Sequence, residues 1–327
     1  MKKISLAYFG TPDFAAQVLQ EIITGTELPI KLICVVTQPD RPVGRKQVIT
    51  SSPVKLMAKN ASIPVFVSLS DPRLVETLHK TDLVLLYAYG ALIPHSLLTL
   101  PVYGFWNIHP SLLPQYRGTS PVAYSLLMGD LHTGVSLMQM DEQWDHGALI
   151  DQVSTDILPH ETHDLLIKRL SDQGYELFKK NVQLLIDGKL QKHEQNHQNA
   201  TYTRLLTKKD GFIPFFVFGK IIRGEKLTQD DCPPLITEYQ TKYGADPGYD
   251  YSLSVYYLYR ALHPWPGLWT LLPLRQAQGS EGQASTEKRL KITRMDMAYS
   301  KPVITHVQLE GKKEVDVKTF LQAYPLL

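Results

Sequence analysis

The stretch Ile4-Ser5-Leu6-Ala7-Tyr8-Phe9-Gly10-Thr11-Pro12-Asp13-Phe14 decides the fold class. Ile4–Phe9 reads as a strand that Gly10 ends. Thr11 is a plausible helix N-cap and Pro12 a plausible first helical residue, after which Phe14, Val18, Leu19 and Ile22 recur at helical spacing. A strand that turns at once into a helix is the first half of a βαβ unit. The turn holds one glycine and no GxGxxG pattern, so dinucleotide binding has no support from it. It still places a helix N-terminus at the carboxyl end of a strand, where open α/β sheets receive ligands.

Working outward, the pattern repeats. Leu32–Val36 is a second strand, and Ser52-Pro53 opens a second helix by the same cap-and-proline logic. Val65–Val67 is short and β-like, and Asp71–Lys80 is helical. Leu83–Tyr89 is almost wholly apolar, the mark of a strand covered on both faces. Phe105–Ile108 is another strand, Pro121–Met128 a helix, and Gly134–Met140 with Ala148–Ile157 a pair of strands. Thr162 caps a long helix over about His163–Ile186, with Leu165, Leu166, Leu170 and Leu177 on its apolar face. This alternation predicts an α/β domain with a mostly parallel sheet and right-handed crossovers.

Residues 191–199 are polar and without periodicity, which reads as a linker. His193 and His197 stand four apart there, but amides surround them and a solvated linker is the better reading. The remainder predicts a smaller, β-rich domain, with strands at Leu268–Leu272, Arg289–Thr293 and Val303–Leu309 and a turn at Gly311-Lys312-Lys313. The low-complexity run 275–285 predicts a disordered hairpin tip.

Bulk properties narrow the class. The chain has 327 residues, 43% hydrophobic and 20% charged, as in an ordinary soluble protein of about two domains. Its two cysteines, Cys34 and Cys232, lie far apart, which argues against a disulfide framework or a structural zinc site. Cys34 reads as a buried small hydrophobe. The opening apolar run stops at Gly10, too soon for a signal peptide, and no run approaches a membrane span, so the expected location is cytoplasmic with no membrane partner. The net charge is +2, unevenly spread. From Lys189 onward 19 basic residues face 14 acidic ones, a balance of +5, while the rest holds 15 against 18, a balance of −3. A basic C-terminal half suits a polyanion, though chance asymmetry would look the same.

The chemistry centres on Asn107-Ile108-His109-Pro110. Period-two alternation turns Asn107 and His109 to one face, and Pro110 ends the strand. An amide donor and an imidazole then project together, which suits a carbonyl under attack. Asp145 follows in a segment ending at Gly147. A carboxylate aimed at His109 can pair with a protonated imidazole or take a proton from an incoming amine. Asp141 and Glu142 compete for that role, and spacing does not choose among them. Arg117 can hold a carboxylate or phosphate, or simply pack on the surface. The loop Arg41-Pro42-Val43-Gly44-Arg45-Lys46 is basic and suits phosphates.

At these residues the sequence resembles the folate-dependent formyltransferases. Asn107, His109 and Asp145 resemble their catalytic trio. Ser111-Leu112-Leu113-Pro114 resembles their segment against the folate, and Leu86–Pro94, with Tyr89, Gly90 and Leu92, the strand and turn beside the pterin. Thr11 and Phe14 in the opening turn, Arg41, Arg45 and Lys46 in the basic loop, and His263-Pro264-Trp265-Pro266-Gly267 resemble the branch that acts on aminoacylated tRNA. The resemblance is strong over Lys3–Leu190. Pro110 stands where many of that branch have glycine, the loop is less basic after Lys46, and Phe212–Tyr257 looks expanded.

The resemblance implies a Rossmann-like formyltransferase domain over residues 1–190, a linker at 191–209, and an OB-like β-barrel domain over 210–327 that contacts tRNA. It implies 10-formyltetrahydrofolate as donor, the methionyl amine of initiator tRNA as acceptor, no metal, and a monomer serving translation initiation. The alternatives are a formyltransferase acting on an amino-sugar nucleotide and a folate- or nucleotide-binding protein without catalysis.

Overall fold

The computed structural model describes residues 3–25, 27–44, 46–273, 287–299 and 301–325. Arg45 and the run 275–285 lie outside them. In chain order the elements are β1 (Ile4–Gly10), α1 (Asp13–Thr24), β2 (Ile30–Val36), β3 (Arg41–Val43), β4 (Val48–Thr50), α2 (Pro53–Asn60), β5 (Val65–Phe66), α3 (Pro72–His79), β6 (Leu83–Tyr87) and α4 (His95–Leu98). They continue with β7 (Phe105–His109), β8 (Arg117–Gly118), α5 (Pro121–Leu127), β9 (His132–Gln139), β10 (Leu149–Asp156), α6 (His163–Ile186) and β11 (Tyr202–Thr203). The last are α7 (Phe215–Ile222), α8 (Pro234–Tyr243), α9 (Ser254–Leu262), β12 (Leu268–Pro273), β13 (Glu287–Ala298), β14 (Lys301–Leu309), β15 (Glu314–Asp316) and α10 (Val317–Ala323).

The described residues divide into two compact units, and the division is not the sequential one expected at 190 and 210. The first unit comprises Met1–Pro121, His132–Asp156 and Ile167–Thr203; the second comprises Val122–Leu131, Ile157–Leu166 and Arg204–Leu327. Two short excursions from the first half of the chain thus belong to the second unit. There the Tyr249 hydroxyl donates to the Leu127 carbonyl at 3.2 Å, and the buried Arg260 donates to the carbonyls of Glu161 and Leu158. Sequence periodicity shows that a helix has an apolar face but not which partner covers it.

The first unit is built on a seven-stranded sheet in the order β10-β9-β7-β6-β1-β2-β5. The run β7-β6-β1-β2-β5 is parallel, and β9 is antiparallel to both of its neighbours. This is the mostly parallel α/β sheet expected. All five residues of β6 are buried, as its unbroken apolarity requires. The edge strand β10 instead alternates covered and open positions. Parallel packing brings the carboxyl ends of β1, β6 and β7 to one edge. Phe9, Tyr89 and Phe105 fill the core beneath it, with Phe9 edge-on to the other two at ring separations of 5.5 and 5.3 Å.

Helix starts show where local signals hold. Ser52 caps α2 as expected, accepting from the Lys55 N–H at 3.0 Å with Pro53 at the first turn. Thr11 does not cap α1. The helix begins one residue later behind Pro12, and the Thr11 hydroxyl donates to the Tyr89 carbonyl at 2.8 Å. Its oxygen accepts instead from the distant Gln38 N–H at 3.4 Å, so tertiary partners hold the side chain on both counts. In α6, Leu166, Leu170 and Leu177 are buried as expected, but Leu165 is 55% exposed.

The second unit carries a four-stranded antiparallel sheet, β12-β13-β14-β15, which is the small β domain expected. In β13, Leu290 and Ile292 face the core; a register irregularity then shifts the phase so that Met295 does. Helices α7 to α9 occupy Phe215–Leu262, so the segment that looked expanded is helical.

Candidate active site

The three chemistry-bearing side chains meet in the first unit. Asn107 and His109 lie on β7, where their backbones pair with Met138 and Ser136 of β9. Both are buried, at 7% and 4% exposure. The Asn107 Nδ2 lies 3.4 Å from the Asp145 Oδ1, and the His109 Nδ1 lies 3.6 Å from that same oxygen. The other ring nitrogen, Nε2, is 3.0 Å from the Tyr116 carbonyl. A carbonyl only accepts, so Nε2 carries a proton. An amide donor, an imidazole and a carboxylate therefore converge on one point at the open edge of the sheet.

The geometry chooses among the acidic candidates. Asp141 accepts from the His146 ring at 2.7 Å and from the Gln143 N–H. Glu142 pairs with His95 at 2.8 Å. Of the three, Asp145 is the one that reaches His109 and Asn107. Its second oxygen accepts from the Gly118 N–H at 2.7 Å. Its backbone sits at φ 48°, a left-handed conformation that non-glycine residues adopt rarely.

Several supports carried no sequence signal. Gln195 is 4% exposed, though its neighbours from 191 to 194 and 196 to 199 are exposed. Its Nε2 donates to the carbonyls of Asp145 at 2.9 Å and Gly147 at 2.7 Å. Its Oε1 accepts from Arg117 Nη2 at 2.6 Å and Nε at 3.2 Å. The stretch read as a free linker is thus anchored in the first unit, and His193 also pairs with Leu149. Arg117 is not a surface residue: it is 1% exposed, and its guanidinium bonds Gln195, Tyr202 and His197. Single polar residues inside polar runs leave no periodic trace of their burial.

After β7 the chain is pinned by Ser136 and Gln152, also unforeseen. The Ser136 hydroxyl donates to the Ser111 carbonyl at 2.6 Å and accepts from the Leu113 N–H at 3.0 Å. The Gln152 Nε2 donates to the Leu113 carbonyl at 2.9 Å. Ser111 and Leu113 are buried, so their side chains shape the loop from within, while Leu112 and Pro114 are partly exposed. Tyr89 is buried against Phe9, whereas Gly90 and Leu92 are exposed. Phe14 packs edge-on against Tyr87 at 5.3 Å.

Arg41–Val43 of the basic stretch is β3, which pairs antiparallel with β4, and all six strand residues are exposed. Arg41 donates to Gln38 at 2.8 Å, and Lys46 is exposed. An open groove of about 770 Å³ between α1 and α2 lies apart from this chemistry; Gln17, Gln20, Leu56 and Met57 line it, and none of the three central residues does. Burial pushes both thiols, Cys34 and Cys232, up to about 12, which leaves neither disposed to act as a nucleophile. Among the described residues no group of three or more His, Cys, Asp or Glu side chains is arranged to hold a metal ion. No helix among them is long and apolar enough to cross a membrane.

An open α/β sheet with an amide, an imidazole and a carboxylate at its carboxyl edge is the setting of acyl-group transfer. The family model described as formyl transferase matches residues 2–182, and the chain belongs to that family. Among its relatives, a methionyl-tRNA formyltransferase of Geotalea daltonii is 33% identical over 335 residues, covering 98% of this chain and 96% of that one. A methionyl-tRNA formyltransferase of Syntrophus aciditrophicus is 33% identical over 330 residues, covering 100% of this chain and 98% of that one. Among solved structures, an N-formyltransferase of Helicobacter canadensis in complex with folinic acid and dTDP-3-aminofucose shares the fold. Its TM-score is 0.55, with 19% identity over 88% of this chain and 95% of that one.

Proposed function

We propose that the chain transfers the formyl group of 10-formyltetrahydrofolate to the amine of methionyl-initiator tRNA. The observation that carries formyl transfer is the convergence of Asn107 Nδ2 and His109 Nδ1 on Asp145 Oδ1. Support for the acceptor comes from relatives of that name, similar along essentially the whole chain.

The chain has surface to receive the folate. Gly90 stands at φ 84° with open space where a side chain would be. Leu92 and Trp144 are 60% and 56% exposed. The loops after β6 and β9 thus offer apolar area and unhindered backbone to a flat heterocycle. When bound, the folate supplies the activated one-carbon acyl group.

The residues divide the work by chemical type. Asn107 donates its amide N–H to the formyl oxygen as negative charge develops there. His109, anchored through Nε2–H on Tyr116, turns Nδ1 to the same place. Asp145 stabilises a protonated His109 and accepts the proton that the amine loses, directly or through one water. The new carbon–nitrogen bond forms as the carbon's bond to the folate nitrogen breaks, and that nitrogen takes up a proton. Ser111, Leu112, Leu113, Pro114, Tyr89, Gly90 and Leu92 form the donor side. Thr11, Phe14, Arg41, Arg45 and Lys46 form the acceptor side, with the 210–327 domain giving the tRNA a basic surface.

The test offers the purified chain 10-formyltetrahydrofolate with either methionyl-tRNA or an amino-sugar nucleotide. Formyl-methionyl-tRNA as the product supports the reading. Formylation of the sugar alone, or donor binding without turnover, overturns it.

A further inference from the structure

We propose that Gln195, oriented by Arg117, is a positioning residue for Asp145, the acid–base group of the reaction; this rests on the formyl-transfer reading above. A guanidinium has only donors, so the two Arg117 contacts at 2.6 and 3.2 Å fix the amide with Oε1 toward the arginine. The amide nitrogen must then face the other way. There it donates to two carbonyls of the catalytic loop, Asp145 at 2.9 Å and Gly147 at 2.7 Å. The first belongs to the residue whose own backbone takes the left-handed conformation at φ 48°, and the second lies two residues on. Such a conformation persists only when its surroundings hold it.

The same arginine acts a second time through the chain. Its successor, Gly118, gives its N–H to the Asp145 Oδ2 at 2.7 Å, and an added Cβ at Gly118 would overlap the Thr203 carbonyl oxygen. Arg117 itself donates its N–H to the Thr201 carbonyl at 2.8 Å in the β8–β11 pairing. One buried assembly therefore fixes both the backbone and the carboxylate of Asp145. The side-chain partners of Gln195 and Arg117 do not include Asn107 or His109. Gln195 therefore acts on the chemistry through Asp145, and Arg117 acts through it and through the adjoining Tyr116 carbonyl that anchors His109.

Gln195→Glu separates positioning from mere packing. The new carboxylate keeps an acceptor, now charged, on Arg117. Its other oxygen faces the Asp145 and Gly147 carbonyls, acceptor against acceptor. The expected result is a folded protein whose kcat falls ~10- to 100-fold while the KM for the folate donor moves less than about twofold. The acid limb of the kcat–pH profile shifts with it. Arg117→Lys, which cannot supply the two-pronged contact, gives the same split by a second route and decides the matter where Gln195→Glu does not fold. Wild-type kcat and an unmoved pH profile in the folded variants overturn the proposal. A wild type that forms no formyl-methionyl-tRNA defeats the functional reading, and this inference with it. An active wild type, an inactive Asp145→Asn and a fully active Gln195→Glu defeat the inference alone.

Discussion

Two surface features of the first unit, the segment 140–148 and the β3–β4 strand pair, differ in how they are held. The first carries Asp145, whose carboxylate meets Asn107 and the Gly118 N–H and whose carbonyl meets buried Gln195. The second exposes every residue of its two strands, including Val43, Val48 and Ile49 at 56%, 58% and 65%. A group that moves a proton must stand within a fraction of an ångström of its mark. A surface that grips a polyanion works through screened charge and needs reach more than precision. The contrast implies that changes in the first loop act on turnover, and changes in the second on acceptor affinity.

The largest effect should come from the chemistry itself. Asp145→Asn keeps the shape and removes the base, and a loss of ~10²- to 10⁴-fold in kcat is expected. His109→Ala should cost about a hundredfold or more, by loss of a donor to the developing oxyanion. Single-turnover kinetics measure both; turnover within a few-fold of wild type in either would break the assignment.

Next comes the frame of the loop. Gly147 is buried, and an added Cβ would overlap the Gln139 carbonyl oxygen. Gly147→Ala should destabilise the fold by about 1–3 kcal/mol, as overpacking does. Denaturant unfolding reads this, and an unchanged midpoint would show that the loop has slack.

The smallest effect belongs to the basic stretch. Arg41→Ala or Lys46→Ala should raise the KM for tRNA a few-fold and lower the slope of log affinity against log salt by about one each. Donor binding should be unaltered. Equal losses with folate and tRNA would erase the contrast between the two.

Legibility in the sequence followed the range of the interaction. Asn107 and His109 were readable because a strand's period of two needs only neighbouring residues. Ser52 and Pro53 were readable as a helix start because capping is local. Thr11 failed as a cap because distant partners, the Tyr89 carbonyl and the Gln38 N–H, hold its hydroxyl. The choice of Asp145 over Asp141 and Glu142 was invisible, since all three sit within five residues and share the same chemistry.

By itself the sequence determined the βαβ alternation, the buried central strand, the Asn-x-His pair and the small β domain. Each rests on periodicity or on a contiguous motif. The tertiary structure alone decided that α5 and residues 157–166 belong with the second unit, and that Arg117 and Gln195 are buried. It alone aimed Asp145 at His109. These depend on groups that approach one another only after the chain has closed loops of some 36 to 122 residues, and no local pattern records such an encounter.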